Sequence, residues 1–287
     1  MDRRLTGLVA LLAAALLVVA VAGANRPHVT GAASAVPPGP PPQVGECVAQ
    51  PFPVIDKRGP AVGRPAPTVE LGGCEDPHHG EVIVVVDLTR AVTMADTDEC
   101  AAIPDPFKFV GIDALAVDAW VATPDIRLVS VTPDPRQAAA GQRWVACVIG
   151  TRAGSPPYAG SLRDAYLVGT PPPALGSCVA AADQLVAASR VTCGEPHRAE
   201  LFARYRLRDT APDETTLERS CGAVISAWTG IPDLGGVAGL RVAVTREEPL
   251  APDAGRGGLV ACGIAADGDR LLAGSLLSAG SGPLPWG

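Results

Sequence analysis

One four-cysteine pattern occurs twice in this chain, and that repetition limits the folds open to it. Cys47 lies in Gly45-Glu46-Cys47-Val48 and Cys178 in Gly176-Ser177-Cys178-Val179. Each opening is followed by Cys-x-x-Pro-His-x-x-Glu, which runs from Cys74 through Pro77 and His78 to Glu81, and from Cys193 through Pro196 and His197 to Glu200. A third cysteine follows at Cys100 and Cys221, and a fourth in Val145-Ala146-Cys147 and Val260-Ala261-Cys262. A Gly-Ser-Leu beginning at Gly160 and Gly274 closes each stretch. Self-similarity of this kind predicts a duplicated domain, with repeat 1 over residues 44–170, repeat 2 over 174–281, and Pro171-Pro172-Pro173 between them.

The N-terminus predicts export. Arg3 and Arg4 precede an apolar run from Gly7 to Ala24, so the positive-inside preference keeps the N-terminus in the cytoplasm and sends the rest across the membrane. Ala22-Gly23-Ala24 has the form of a signal-peptide cleavage site. The same run also reaches the minimum length for spanning a bilayer. Residues 1–24 therefore read either as a removable signal peptide, giving a secreted protein, or as a single transmembrane anchor. No cysteine lies near residue 24, which excludes a lipoprotein anchor. Residues 25–43, ending in the proline-rich stretch from Val36 to Gln43, read as an extended tether of about 3 Å per residue.

In an exported chain, an even number of cysteines at repeated spacings reads as a disulfide framework. Pairing within each set of four leaves nine combinations, and spacing alone does not choose among them. The expected set is Cys47–Cys74, Cys100–Cys147, Cys178–Cys193 and Cys221–Cys262. Aromatic residues make up 4% of the chain, so the cores should be small and dependent on such crosslinks. A formal net charge of −7 argues against nucleic acid or anionic lipid surfaces as bulk-charge partners.

Each repeat reads as a small α+β unit, in which one helix packs on an antiparallel-rich sheet held by two disulfides. The β-branched run 82–86 predicts a strand after His78, and residues 201–207 predict its counterpart after His197, with one face of the latter exposed. Further strands are expected at 128–132 and 144–149, at 240–245 and 259–264, and in short stretches at the first and before the second cysteine of each set. The clearest helix opens at a Thr215/Glu218 capping box and places Leu217, Cys221, Val224, Ile225 and Trp228 on one stripe, with Gly230 and Pro232 ending it. Repeat 1 should start a shorter helix near Asp96, cut by Pro104 and Pro106. The first two cysteines are 27 apart in repeat 1 and 15 apart in repeat 2, and the excess maps to a proline-rich surface loop at 51–67.

The Gly-x-Cys-Val opening, the Cys-x-x-Pro-His-x-x-Glu core and the two later cysteines together resemble the septum formation family of actinobacterial envelope proteins, over residues 44–281. The resemblance implies an exported or membrane-anchored role in cell division or cell-wall assembly, as a binding or scaffolding module whose partner is an envelope or divisome protein. It carries no chemistry onto particular residues and implies no cofactor.

The paired Pro-His-x-x-Glu motifs, comprising Pro77, His78, Glu81, Pro196, His197 and Glu200, are the one constellation with the makings of a site. A histidine with a carboxylate three residues on can hydrogen-bond a turn, recognise a partner, or contribute to a metal or acid–base site. Structural hydrogen bonding is the favoured reading, since a His/Glu pair falls short of the three or four donors zinc requires. His79, matched by Arg198, is expected to face solvent. The alternative is a cell-wall hydrolase or metal-dependent enzyme using His78/Glu81 or His197/Glu200. The chain has no Ser-x-x-Lys, Gly-x-Ser-x-Gly, His-Glu-x-x-His, Gly-x-x-x-x-Gly-Lys or Cys-x-x-Cys. Trp144 and Trp228 are expected in the core.

Overall fold

The computed structural model describes residues 37–52, 69–88, 100, 106–113, 119–169, 171–181, 185, 190–207, 212–247 and 258–287. The apolar run at 7–24, most of the loop at 51–67 and the helix expected near Asp96 lie outside the described residues. Residues 39–287 belong to one compact unit. Among the described residues, no helix is long and apolar enough to cross a membrane.

The first sheet is built from β1 (Cys47–Val48), β2 (Leu71–Gly72), β3 (Gly80–Asp87), β5 (Ile126–Val131) and β6 (Trp144–Thr151), in the order β2-β1-β3-β6-β5. The second is built from β7 (Ser177–Val179), β8 (Arg190–Val191), β9 (Ala199–Arg206), β10 (Leu240–Glu247) and β11 (Leu259–Ala266), in the order β8-β7-β9-β11-β10. Strand order is therefore the same in both, and every pairing is antiparallel. The registers match as well: Cys47 faces Glu81 and Cys178 faces Glu200.

Each long strand after the histidine carries a β-bulge. Pairing of β3 with β6 skips Ile83, and pairing of β9 with β11 skips Phe202. A bulge lets two successive side chains turn to one face. Here it sends Ile83 with Val84, and Phe202 with Ala203, into a single core shared by both sheets. The opposite faces are covered too. Val82, Ala146, Val148 and Trp144 pack with Phe52 and Val48 in one satellite cluster, and Leu201, Ala261 and Ala265 pack with Leu185 in another. The expectation of a solvent-exposed face on the strand after His197 is therefore corrected. Positions 199–203 are buried on both faces, and exposure begins only towards Arg206.

Four disulfides join Cys47–Cys74, Cys100–Cys147, Cys178–Cys193 and Cys221–Cys262, and no cysteine is free. In each half the first bridge ties the short β-ribbon to the turn before the histidine. The second ties β6 to Cys100 in one half and β11 to the helix that carries Cys221 in the other. A short helix α1 (Pro106–Phe109) follows Cys100, and α2 (Pro135–Ala139) is capped by Asp134 and Gln137 acting reciprocally. The long helix α3 (Glu214–Thr229) buries Leu217, Cys221, Ile225 and Thr229, leaves Val224 and Trp228 partly buried, and ends at Gly230, whose φ of 71° favours glycine. Its N-cap is Asp213, which accepts from Thr216 N, so the helix starts ahead of the expected Thr215/Glu218 box. Aspartate in the extended backbone at Asp213 meets the orphan amide first, leaving Thr215 inside the helix.

A three-residue strand, β4 (Trp120–Ala122), comes from the first half and pairs with β9 of the second, setting Trp120 opposite Tyr205 and Ala122 opposite Ala203. β7 occupies the start of that edge of β9 and β4 the end, so an edge otherwise open to pairing is closed. Trp120 donates from Nε1 to Ser220 Oγ on α3 (2.9 Å) and meets Tyr205 edge-on at 5.4 Å between centroids. Tyr166 meets Trp228 edge-on at 5.3 Å, adding a second aromatic tie across the junction. Trp120→Ala should lower stability by about 2–4 kcal/mol through lost packing. In a double-mutant cycle with Ser220→Ala, a coupling energy near zero would show that the indole hydrogen bond contributes nothing, whereas about 0.5–1.5 kcal/mol is expected.

Candidate functional site

Proline lacks an N–H and holds the residue before it extended, so the carbonyls of Asp76 and Glu195 are directed away from any helical partner. The histidines use them. His78 Nδ1 lies 2.7 Å from Asp76 O, and His197 Nδ1 lies 2.8 Å from Glu195 O. A carbonyl only accepts, so Nδ1 carries the proton in both rings. His78 is 2% exposed and His197 0%. Each backbone also forms a reciprocal pair with a later segment: His78 with Tyr158 at 2.8 and 2.9 Å, and His197 with Leu272 at 2.9 and 2.8 Å. The His78 ring packs edge-on against Tyr158, with centroids 4.2 Å apart. Burial holds His197 below its usual pKa, against the opposing backbone bond to Glu195, and so disfavours the charged ring.

The glutamates turn to a different partner. Glu81 Oε2 accepts from Leu162 N at 2.7 Å, and Ser161 Oγ donates to Oε1 at 2.8 Å. Glu200 Oε2 accepts from Leu276 N at 2.7 Å, and Ser275 Oγ donates to Oε1 at 2.6 Å. Both serines also cap the turn behind them, accepting from Arg163 N and Leu277 N respectively. The Gly-Ser-Leu element, visible in the sequence only as a closing motif, is thus the receptor for the buried carboxylate. Gly176 makes room for it, since a Cβ there would lie 2.6 Å from both Glu200 Oε1 and Ser275 Oγ.

The structure brings His78 to the first disulfide of its half and Glu200 to that of the other, and among the described residues neither histidine is hydrogen-bonded to the glutamate of its motif. A ring nitrogen of His78 lies within 4.8 Å of both sulfurs of Cys47–Cys74, and a carboxylate oxygen of Glu200 within 4.8 Å of both sulfurs of Cys178–Cys193. A sulfur must be a thiolate to bind a metal, and these sulfurs are bonded to each other. Pro77 and Pro196 are exposed on their turns. His79, expected in solvent, is only half-exposed: its amide bonds Val48 O, as the Arg198 amide bonds Val179 O, which holds both residues against the sheet. Trp144 is buried as expected.

No protein-family model, curated protein or solved structure matches this chain.

Burial pushes the Glu200 carboxyl up to about 7, against the Ser275 and Leu276 donors that pull it down. The nearby Tyr166 phenol is raised by burial and, secondarily, by the Glu200 charge. A carboxyl whose pKa is raised on folding adds stability that is fully present below its unfolded value near 4.5 and is lost as pH rises through about 7. Relative to Glu200→Gln, the wild-type unfolding free energy should therefore fall by on the order of 3 kcal/mol across that window. Denaturant melts at several pH values read this, and parallel curves for the two proteins would contradict it. His78→Ala and His197→Ala should each cost about 1–3 kcal/mol by stranding the Asp76 or Glu195 carbonyl. An unchanged melting temperature in both variants would rule out the anchoring role.

Proposed function

We propose that the chain is a non-enzymatic, exported envelope protein. Two copies of one disulfide-stapled unit form a binding or scaffolding module, similar to the septum formation family and linked through that resemblance to division or cell-wall assembly. The observation that carries this reading is the fate of the repeated motif. In both halves the histidine serves a backbone carbonyl and the glutamate serves Gly-Ser-Leu, deep in the core, so the residues with catalytic potential are committed to holding the fold. Shared strand order, register and bulge position support duplication of one unit. Four disulfides fit an oxidising compartment. Within that reading, residues 1–24 either anchor the protein in the membrane or are removed, and the tether that starts at residue 25 ends where the compact unit begins at Gly39.

The hydrolase reading is tested on isolated cell-wall peptidoglycan. The purified protein should release no soluble fragments, and Glu81→Gln and Glu200→Gln should behave like wild type. Fragment release by the wild type that disappears in either variant, with folding retained, would overturn the non-enzymatic reading.

A further inference from the structure

The junction between the halves holds a cavity of about 340 Å³, within the range of small-ligand sites. Its apolar wall is formed by Phe107 of α1, Val121 of β4, Ile126 of β5 and Leu259 of β11. Three arginines, Arg190, Arg204 and Arg206, also line the cavity, beside Ala122, Thr123 and Pro124. A concentration of cations in one apolar-walled hollow stands out in a chain whose net charge is −7.

The charges are fixed from behind. Asp125, 6% exposed, pairs with Arg152 Nε and lies 3.7 Å from Arg190 Nη1. Arg190 Nη1 also donates to Ser177 Oγ at 3.1 Å, and that hydroxyl donates to Thr123 O at 2.5 Å. One face of Arg190 is thereby tied to the strand that opens the second half. Burial, and after it the charges of Arg204 and Arg152, work against the Arg190 cation, while Asp125 supports it. Arg204 is engaged within the protein and contributes its field, and Arg206 is exposed at the rim. An anion entering the cavity would stabilise a guanidinium group that is costly to keep charged. A dianion with several oxygens suits a cavity lined by several guanidinium groups better than a single carboxylate does, because each fork takes two oxygens.

We propose that this cavity binds a phosphate monoester bearing an apolar substituent. The phosphoryl oxygens sit on Arg190 and Arg206, and the substituent lies against Phe107, Val121, Ile126 and Leu259. The ligand is either a soluble organic phosphate or the headgroup of a phosphate-ended lipid.

Isothermal titration of the purified, oxidised chain with butyl phosphate, inorganic phosphate and butyrate tests this. Butyl phosphate should bind at least about tenfold more tightly than either of the others, more weakly as salt rises. Arg206→Ala, at an exposed position, should weaken it by about tenfold or more with an unchanged melting temperature. Val121→Phe, which fills the cavity without removing a charge, should abolish binding. Sedimentation with phosphatidylcholine vesicles, with and without phosphatidic acid, separates the sources. Added retention on the acidic vesicles that is lost in Arg206→Ala assigns the lipid, and binding of butyl phosphate without such retention assigns the soluble ester. No butyl phosphate binding at millimolar concentration, butyrate or inorganic phosphate binding as tightly, or both variants binding like wild type would each overturn the proposal. Failure of the titration removes the ligand while leaving the peptidoglycan outcome, and with it the binding-module reading, where it stands.

Discussion

A carboxylate placed on the buried face of a strand has to find donors there, because leaving it unpaired costs several kcal/mol. Glu81 and Glu200 stand opposite Cys47 and Cys178 in the sheet, so they sit where the β-ribbon, the first disulfide and the central strand converge. Their donors come from 80–81 and 75–76 residues further along the chain, in segments with no strand or helix of their own. Binding the carboxylate therefore closes each half on itself. It fixes the serine hydroxyl, buries Leu162 and Leu276, and positions the segment that reaches back to bridge the histidine.

The histidine complements the glutamate. Proline directs a carbonyl to it, Nδ1–H satisfies that carbonyl, and in the first half the ring lies beside the Cys47–Cys74 bridge. Motifs that pair a histidine with a carboxylate invite a catalytic reading, yet here the two side chains answer to different partners. Chemistry-bearing residues in this chain are more concentrated at the junction, where β4 crosses from one half to the edge of the other and the arginines of β8 and β9 face an apolar wall. The shared core and the aromatic pairs Trp120–Tyr205 and Tyr166–Trp228 make that junction part of the folded unit.

Much of the fold was legible because its determinants are local or repeated. Strand β3 followed from a β-branched run, β9 from its matching place after His197, and β6 and β11 from corresponding segments of the two repeats; the end of α3 followed from Gly230, and the four disulfides have the expected pairing. The helix start was misplaced because Thr215/Glu218 mimics a capping box that Asp213 pre-empts. The two-sided burial of β9 was missed because alternating arginines at 204 and 206 suggested an exposed face, whereas the bulge at Phe202 and the satellite cluster under Leu201 are tertiary effects. Strand β4 has only three residues, and its partner lies more than 80 positions away, so no local signal marks it. The Gly-Ser-Leu repeat was visible, but its role as carboxylate receptor emerges only when the chain is folded.

Amide hydrogen exchange at Leu162 and Leu276 tests the anchoring of the motif most directly, because both amides lie outside any strand or helix and their protection depends on the buried carboxylates. If Glu81 and Glu200 are structural anchors, these two amides should exchange as slowly as those in the middle of β6 and β11, through global unfolding. Exchange as fast as in exposed turns would show that the carboxylates are not engaged there and would contradict the account.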